Sequence, residues 1–197
     1  MKRFYLSAFL ILMLLSLLTA CGGPKEPPVT EDGDLILARY RDEVITQSEV
    51  DFRRAYMEWS EDDMSDREIT EHLLRPRIYG LEAEARGFTA TEEEIETFLD
   101  ETIYASYDIE EGKAQIDEYL AAEGISFEEY VERVRETAPD VILIAKLEES
   151  IAADYAREHD IELEDPMFNV PNEVKDAVNA EMDNILKKAQ KEITYYI

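Results

Sequence analysis

The chain has 197 residues, 20 of them basic and 47 acidic, for a formal net charge of −27. An excess of that size repels phosphates, so nucleic acid is excluded as a partner, and a polybasic grip on anionic lipid is excluded with it. There is one cysteine, so no intramolecular disulfide can form and an ordinary apolar core must hold the fold. The acid excess reads first as a device for solubility, with attraction of cationic partners as its rival.

Lys2 and Arg3 open the chain, and an apolar run follows from Phe4 to Leu18, broken by Ser7 and Ser16. Leu18-Thr19-Ala20-Cys21 then places small residues where a signal peptidase cleaves. The same four residues resemble the lipobox of bacterial lipoproteins. That resemblance implies cleavage after Ala20 and a diacylglyceryl thioether on Cys21. An uncleaved membrane helix is the competing reading, but the run is shorter than the ~20 apolar residues of a comfortable span. The lone cysteine stands at the one position a lipobox needs. Residues 1–20 are therefore expected to be a signal peptide. Localisation is expected to be extracytoplasmic, with the lipid anchor holding the protein to the bacterial cell membrane.

Gly22 to Asp34 is Gly, Pro and charge, which predicts a flexible tether of up to roughly 40 Å at ~3.1 Å per extended residue. Residues 35–197 are expected to form the working domain. Leu35–Tyr40 reads as a strand, Arg41-Asp42 as a turn and Glu43–Ile45 as a returning strand. Thr46 and Glu49 form a capping box, in which the hydroxyl takes one free helix N–H and the carboxylate reaches back to another. Val50, Ala55, Tyr56 and Trp59 mark the helix that follows, which is expected to end in Ser60-Glu61-Asp62-Asp63.

A second helix is predicted from Ser65 or Asp66 to Gly87, with Ile69, Leu73, Leu74, Ile78, Leu81 and Ala85 at helical spacing. Pro76 removes one backbone hydrogen bond there, predicting a kink or two abutting helices. Thr91 and Glu94 form another capping box, opening a helix with Ile95, Phe98, Leu99 and Ile103. A helix with Ile116, Tyr119 and Leu120 ends at Gly124, and Ser126 with Glu129 caps a long helix reaching about His159. Pro139 is expected to bend that helix. After a loop with Pro166 and Pro171, a last helix is predicted over about 172–196. Its stripe is Val174, Val178, Met182, Ile185, Ala189, Ile193 and Tyr196. That face is expected to pack back on the domain, and pairing in a homodimer is the competing destination. The fold class is mainly α, with a short N-terminal β element.

No catalytic constellation emerges. His72 and His159 lack neighbours at zinc-ligand spacing, and there is no nucleophile elbow, glycine-rich phosphate loop or calcium loop. No catalytic residue, metal or cofactor is therefore assigned, and no enzymatic activity is expected. Of the 11 tyrosines, most read as amphipathic edges of the core. The sharper reading is that Tyr56, Trp59, Tyr79, Phe98, Tyr104 and Tyr107 line a groove that grips unfolded chains.

Three blocks carry a family resemblance. The first is Ala38 to Asp51, where Ile45, Thr46, Glu49 and Val50 fit a strand–turn–helix opening. The second is Glu82 to Ile95, with Gly87 closing one helix and Thr91-x-x-Glu94 starting the next. The third is Gly124-Ile125-Ser126-Phe127-Glu128-Glu129-Tyr130. In this order and spacing they resemble the SurA N-terminal domain family, the chaperone lobe of SurA and of the lipid-anchored foldase PrsA. Arg41-Asp42 departs from the family's Asn-Gly turn. The family's parvulin isomerase domain has no room, because only His159 to Val170 separate the last two helices. The resemblance implies a helical chaperone lobe without prolyl isomerase activity, taking unfolded or partly folded exported proteins as clients. The alternative is a helical adaptor or scaffold at the envelope docking one folded partner, with the last helix's stripe as interface.

Overall fold

The computed structural model describes residues 27–57, 64–163 and 170–197. The signal segment, Cys21, the acidic stretch 60–63 and Pro166 lie outside the described residues. Two strands come first, β1 (Ile36–Tyr40) and β2 (Glu43–Thr46), paired antiparallel with Tyr40 opposite Glu43. The two-residue connection puts Arg41 in the left-handed region at φ 53°, a conformation a side chain resists. The register slips between Ile36 and Ala38, leaving a bulge.

Helix α1 (Gln47–Met57) starts at the Thr46 box, where the Thr46 N–H donates to Glu49 Oε2 at 2.8 Å. Helix α2 (Asp66–Ala85) is capped by Ser65, which accepts from the Glu68 N–H, while Glu68 reaches back to the Ser65 N–H. α2 runs on through Pro76 as one element. The single hydrogen bond that Pro76 removes is outweighed by burial on both sides of it, from Ile69 and Leu74 to Ile78 and Ala83. Gly87 follows at φ 90°, closing the helix as its position predicted.

Helix α3 (Glu92–Leu99) carries the Thr91–Glu94 box and passes into a π-helical turn, Asp100–Tyr104, and a last α-turn, Ala105–Tyr107. Helix α4 (Glu110–Glu123) ends on Gly124 at φ 67°. Helix α5 (Phe127–Glu158) is 32 residues long, about 48 Å at ~1.5 Å per residue. Pro139 lies inside it without interrupting it. Helix α6 (Asn172–Ala189) is shorter than the stripe suggested. Thr194–Tyr195 leave the helix and form β3, antiparallel to β1, so the sheet order is β2-β1-β3. The Tyr196 N–H donates to the Leu37 carbonyl at 2.9 Å. Thr194, Tyr195 and Tyr196 are β-branched or aromatic, and an open edge of β1 offers them hydrogen bonds that one more helical turn in solvent cannot match.

Two apolar clusters result. The larger joins the sheet, α2, the C-terminal half of α5 and α6, with Ile45, Leu74 and Leu147 almost fully buried. Val174, Met182, Ile185 and Ala189 are buried, and α6 packs back on α5 and α2. The smaller cluster is Ile95, Leu99, Val131 and Ala138, between α3 and the N-terminal half of α5. The single helix α5 thus carries two lobes. Among the described residues no helix is long and apolar enough to cross a membrane.

The tether reading is corrected at its far end. Val29 bridges to Leu35, the Ile36 N–H donates to the Pro28 carbonyl at 2.8 Å, and the Ser48 hydroxyl donates to Asp34 at 2.6 Å. Gly33 at φ 87° permits the tight loop that brings these groups together. Residues 28–34 are therefore part of the domain. The composition suggested coil because it registers Gly and Pro, and it contains no signal for the docking on α1.

Candidate functional site

The tip of the smaller lobe gathers aromatic rings at its surface. Phe127 is the first residue of α5, directly after the Ser126 cap, so no preceding helical turn covers its ring. Tyr107 stacks on it at 4.1 Å between centroids and 26° between planes. Tyr104 meets it edge-on at 5.9 Å, and Tyr130 lies 6.4 Å away. Tyr119 of α4 extends the chain of rings, 5.6 Å from Tyr130. Edge and offset contacts of this kind contribute about 0.5–1.5 kcal/mol each beyond area burial. They organise the surface without sealing it, for Tyr104 stays 40 % exposed and Ile109, just before α4, 57 %.

Two backbone features build this arrangement. The π-turn Asp100–Tyr104 widens the helix after α3 and shifts the residues beyond it around the axis, which turns Tyr104 and Tyr107 toward Phe127. Gly112, in the first turn of α4, lies so close to Ser106 that a Cβ there would collide with the Ser106 carbonyl. Glycine is what lets α4 close on the end of the preceding helix. α4 itself buries none of its residues.

The polar frame of the tip is anchored by Lys113. Its Nζ donates to the Tyr107 hydroxyl at 2.6 Å and to Asp117 Oδ2 at 2.9 Å, and sits 3.9 Å from the Tyr107 ring centroid. The Tyr107 hydroxyl donates to Asp117 Oδ1 at 3.1 Å. The ammonium and this hydroxyl hold the Asp117 carboxyl below its ordinary range, while the Tyr107 hydroxyl and Asp117 raise Lys113. Arg135 bridges Glu92 at 3.1 Å and Glu96 at 2.6 Å, fastening α3 to α5.

Of the six residues expected to line a groove, the four that are described are not all brought together. Tyr104 and Tyr107 belong to the tip. Phe98 is half-buried against the smaller cluster. Tyr79 is 9 % exposed inside the larger core, where burial raises its hydroxyl pKa, and it offers no face to a client. The Tyr56 side chain and Trp59 lie outside the described residues. Phe127, Tyr119 and Tyr130 complete the surface, and sequence reasoning placed them only on helix stripes. The signal for Phe127 was its place at the first position after a capping box.

A second polar cluster sits at the junction of the lobes. Arg77 of α2 donates to the Val44 carbonyl and pairs with Glu49, and lies 3.7 Å from Glu43. Asp140 of α5 faces it across a cavity of about 130 Å³ also lined by Gly80 and Glu84. Burial pushes the Asp140 carboxyl up, Arg77 opposes that, and Glu43 and Glu84 add to it. The cluster ties β2, α1 and α2 together. Among the described residues no group of His, Cys, Asp and Glu is placed to hold a metal ion.

No protein-family model matches the chain, and no curated protein matches it either.

Proposed function

We propose that this protein is a lipid-anchored extracytoplasmic chaperone-like protein, without prolyl isomerase activity, that holds unfolded or partly folded exported proteins. The observation that carries the reading is the ring surface of Tyr104, Tyr107, Phe127, Tyr130 and Tyr119 on a lobe set apart from the main core. Partly exposed aromatic surface fixed on helices takes up apolar segments without needing a cofactor or a catalytic group. The acidic exterior keeps the loaded complex soluble. The resemblance to the SurA N-terminal lobe and the lipobox at Leu18–Cys21 support the same reading.

The anchor sets the working distance. Between Cys21 and Pro28, the first of the described residues bonded to the domain, stand six residues, 22–27. Six residues reach at most about 22 Å when fully extended. Clients are then met close to the membrane surface. A folded-partner adaptor was the alternative, with the α6 stripe as its interface. Val174, Met182, Ile185 and Ala189 of that stripe are buried within the chain, which leaves the adaptor reading little of its interface.

The test is aggregation suppression by the purified full chain, using an unrelated exported protein that is thermally unfolded. Suppression at near-stoichiometric amounts is expected. Tight binding to one folded partner with no suppression would overturn the reading. For the anchor, mass spectrometry of the mature N-terminal peptide is expected to begin at a diacylated Cys21, and an intact Met1 with a bare thiol would refute it.

A further inference from the structure

The lobe that carries the ring surface also concentrates the charge. Residues 92–136 hold sixteen acidic and three basic side chains, a net −13 of the whole chain's −27. Nearly half of the charge therefore sits on less than a quarter of the residues. Two of the three bases are already engaged, Arg135 with Glu92 and Glu96 and Lys113 with Asp117. An apolar client segment reaching these rings therefore enters a negative field.

The tip also contains a worked instance of what such a field selects. Lys113 Nζ rests 3.9 Å from the centroid of the Tyr107 ring with the Asp117 carboxylate 2.9 Å from it. That Nζ also donates to the Tyr107 hydroxyl at 2.6 Å, so a cation already sits between a tyrosine and a carboxylate. Tyr104 offers a second ring, with no lysine of α4 on it. It is 40 % exposed, it abuts Phe127, and Asp100 and Glu101 precede it by four and three residues in the same π-helical turn. Both carboxylates are on exposed residues. Ile109 adds exposed apolar surface beside them.

From this we infer that the tip selects client segments bearing Lys or Arg next to apolar or aromatic residues, with the cation seated at Tyr104 between ring and carboxylate. This rests on the chaperone reading above and names its client class. Neutral apolar segments gain only the ring contacts, and acidic segments are repelled. Because the acidic groups are exposed, the selectivity is screened by salt, whose Debye length is about 8 Å at physiological strength and about 3 Å at 1 M.

The experiment uses the full chain in phosphatidylcholine nanodiscs, which are neutral and do not themselves attract cationic peptides. Three fluorescent peptides share one apolar pattern and differ only in bearing lysine, serine or glutamate at the same positions. The lysine peptide is expected to bind about ten-fold tighter than the serine peptide at low salt, the sum of one ion pair and one cation–π contact. The ratio should fall toward unity at high salt. Asp100→Asn with Glu101→Gln should remove most of the preference and leave serine-peptide binding unchanged. Tyr104→Ala should weaken the lysine peptide most; all three positions are exposed, so folding is not at stake. Equal binding of the three peptides, with aggregation suppression intact, would overturn the inference and spare the chaperone reading. No peptide binding and no suppression would overturn both.

Discussion

Lys146, in the C-terminal half of α5, pairs with Glu94, the residue that also closes the capping box on Thr91. Its Nζ donates as well to the Thr89 carbonyl at 2.7 Å. One ammonium therefore fixes the connection between α2 and α3, and with it the angle at which the smaller lobe leaves the larger. Lys146 and the Thr91 groups hold the Glu94 carboxyl down at about 2, against an ordinary 4.5. A depressed carboxyl stabilises the fold above its ordinary range, and that stability is lost as pH falls from about 4.5 toward 2. Glu94→Gln keeps an acceptor for Thr91 but loses the charge. Urea midpoints should show the variant weaker than wild type at neutral pH and equal to it near the acid end of that window.

Asp140 has the opposite sign. Its carboxyl is raised by burial, so the folded state holds the proton more tightly than the unfolded chain does. Stability from this group is present at low pH and is lost as pH rises from the ordinary aspartate range through the raised folded value. Asp140→Asn should therefore be more stable than wild type at pH 7, with the gap closing in acid. A variant less stable than wild type at pH 7 would mean that the attraction of Arg77 outweighs desolvation.

The C-terminus should report on the main core in two grades. Ile185 is 5 % exposed on α6, and Ile185→Ala should cost about 2–5 kcal/mol in chemical denaturation. Removing residues 193–197 strips β3 from β1, the Tyr196–Leu37 hydrogen bond, and the Tyr195 ring over which Arg67 lies at 3.6 Å. Its melting temperature should fall while unfolding stays a single transition, because α6 keeps its buried face. Deleting 172–197 removes that face too, and should also expose apolar surface to dye.

Gly112→Ala tests the tip without touching either cluster. The new methyl meets the Ser106 carbonyl and must push α4 away from Tyr107. Suppression of aggregation should drop several-fold with the melting temperature almost unchanged, since α4 buries no residue. Near-ultraviolet circular dichroism should register the altered tyrosine surroundings.

Much of the fold was legible because it is written in local signals. The Thr46, Thr91 and Ser126 boxes and the glycines at 87 and 124 placed helix ends where they stand, since caps answer to backbone groups within one turn. The ring surface was half legible: Tyr104 and Tyr107 were singled out, but Phe127 joins them from 20 residues or more along the chain, through the π-turn and the closure at Gly112. Tyr79 failed as a surface residue because a tyrosine at helical spacing reads alike whether its stripe faces the core or the solvent.

The sequence by itself determined the helical class, the charge, the helix ends marked by capping boxes and glycines, and the apolar face of α6, because propensity, capping and periodicity act over a few residues. Only the tertiary structure decided where that face went, and the answer was its own α2 and α5. It decided too that Thr194–Tyr195 would be a strand, since the open edge of β1 that receives them lies more than 150 residues away in the chain. The two lobes on α5 and the rings at its far end follow from the same cause. Contacts between distant segments depend on how helices pack, and no local pattern encodes that packing.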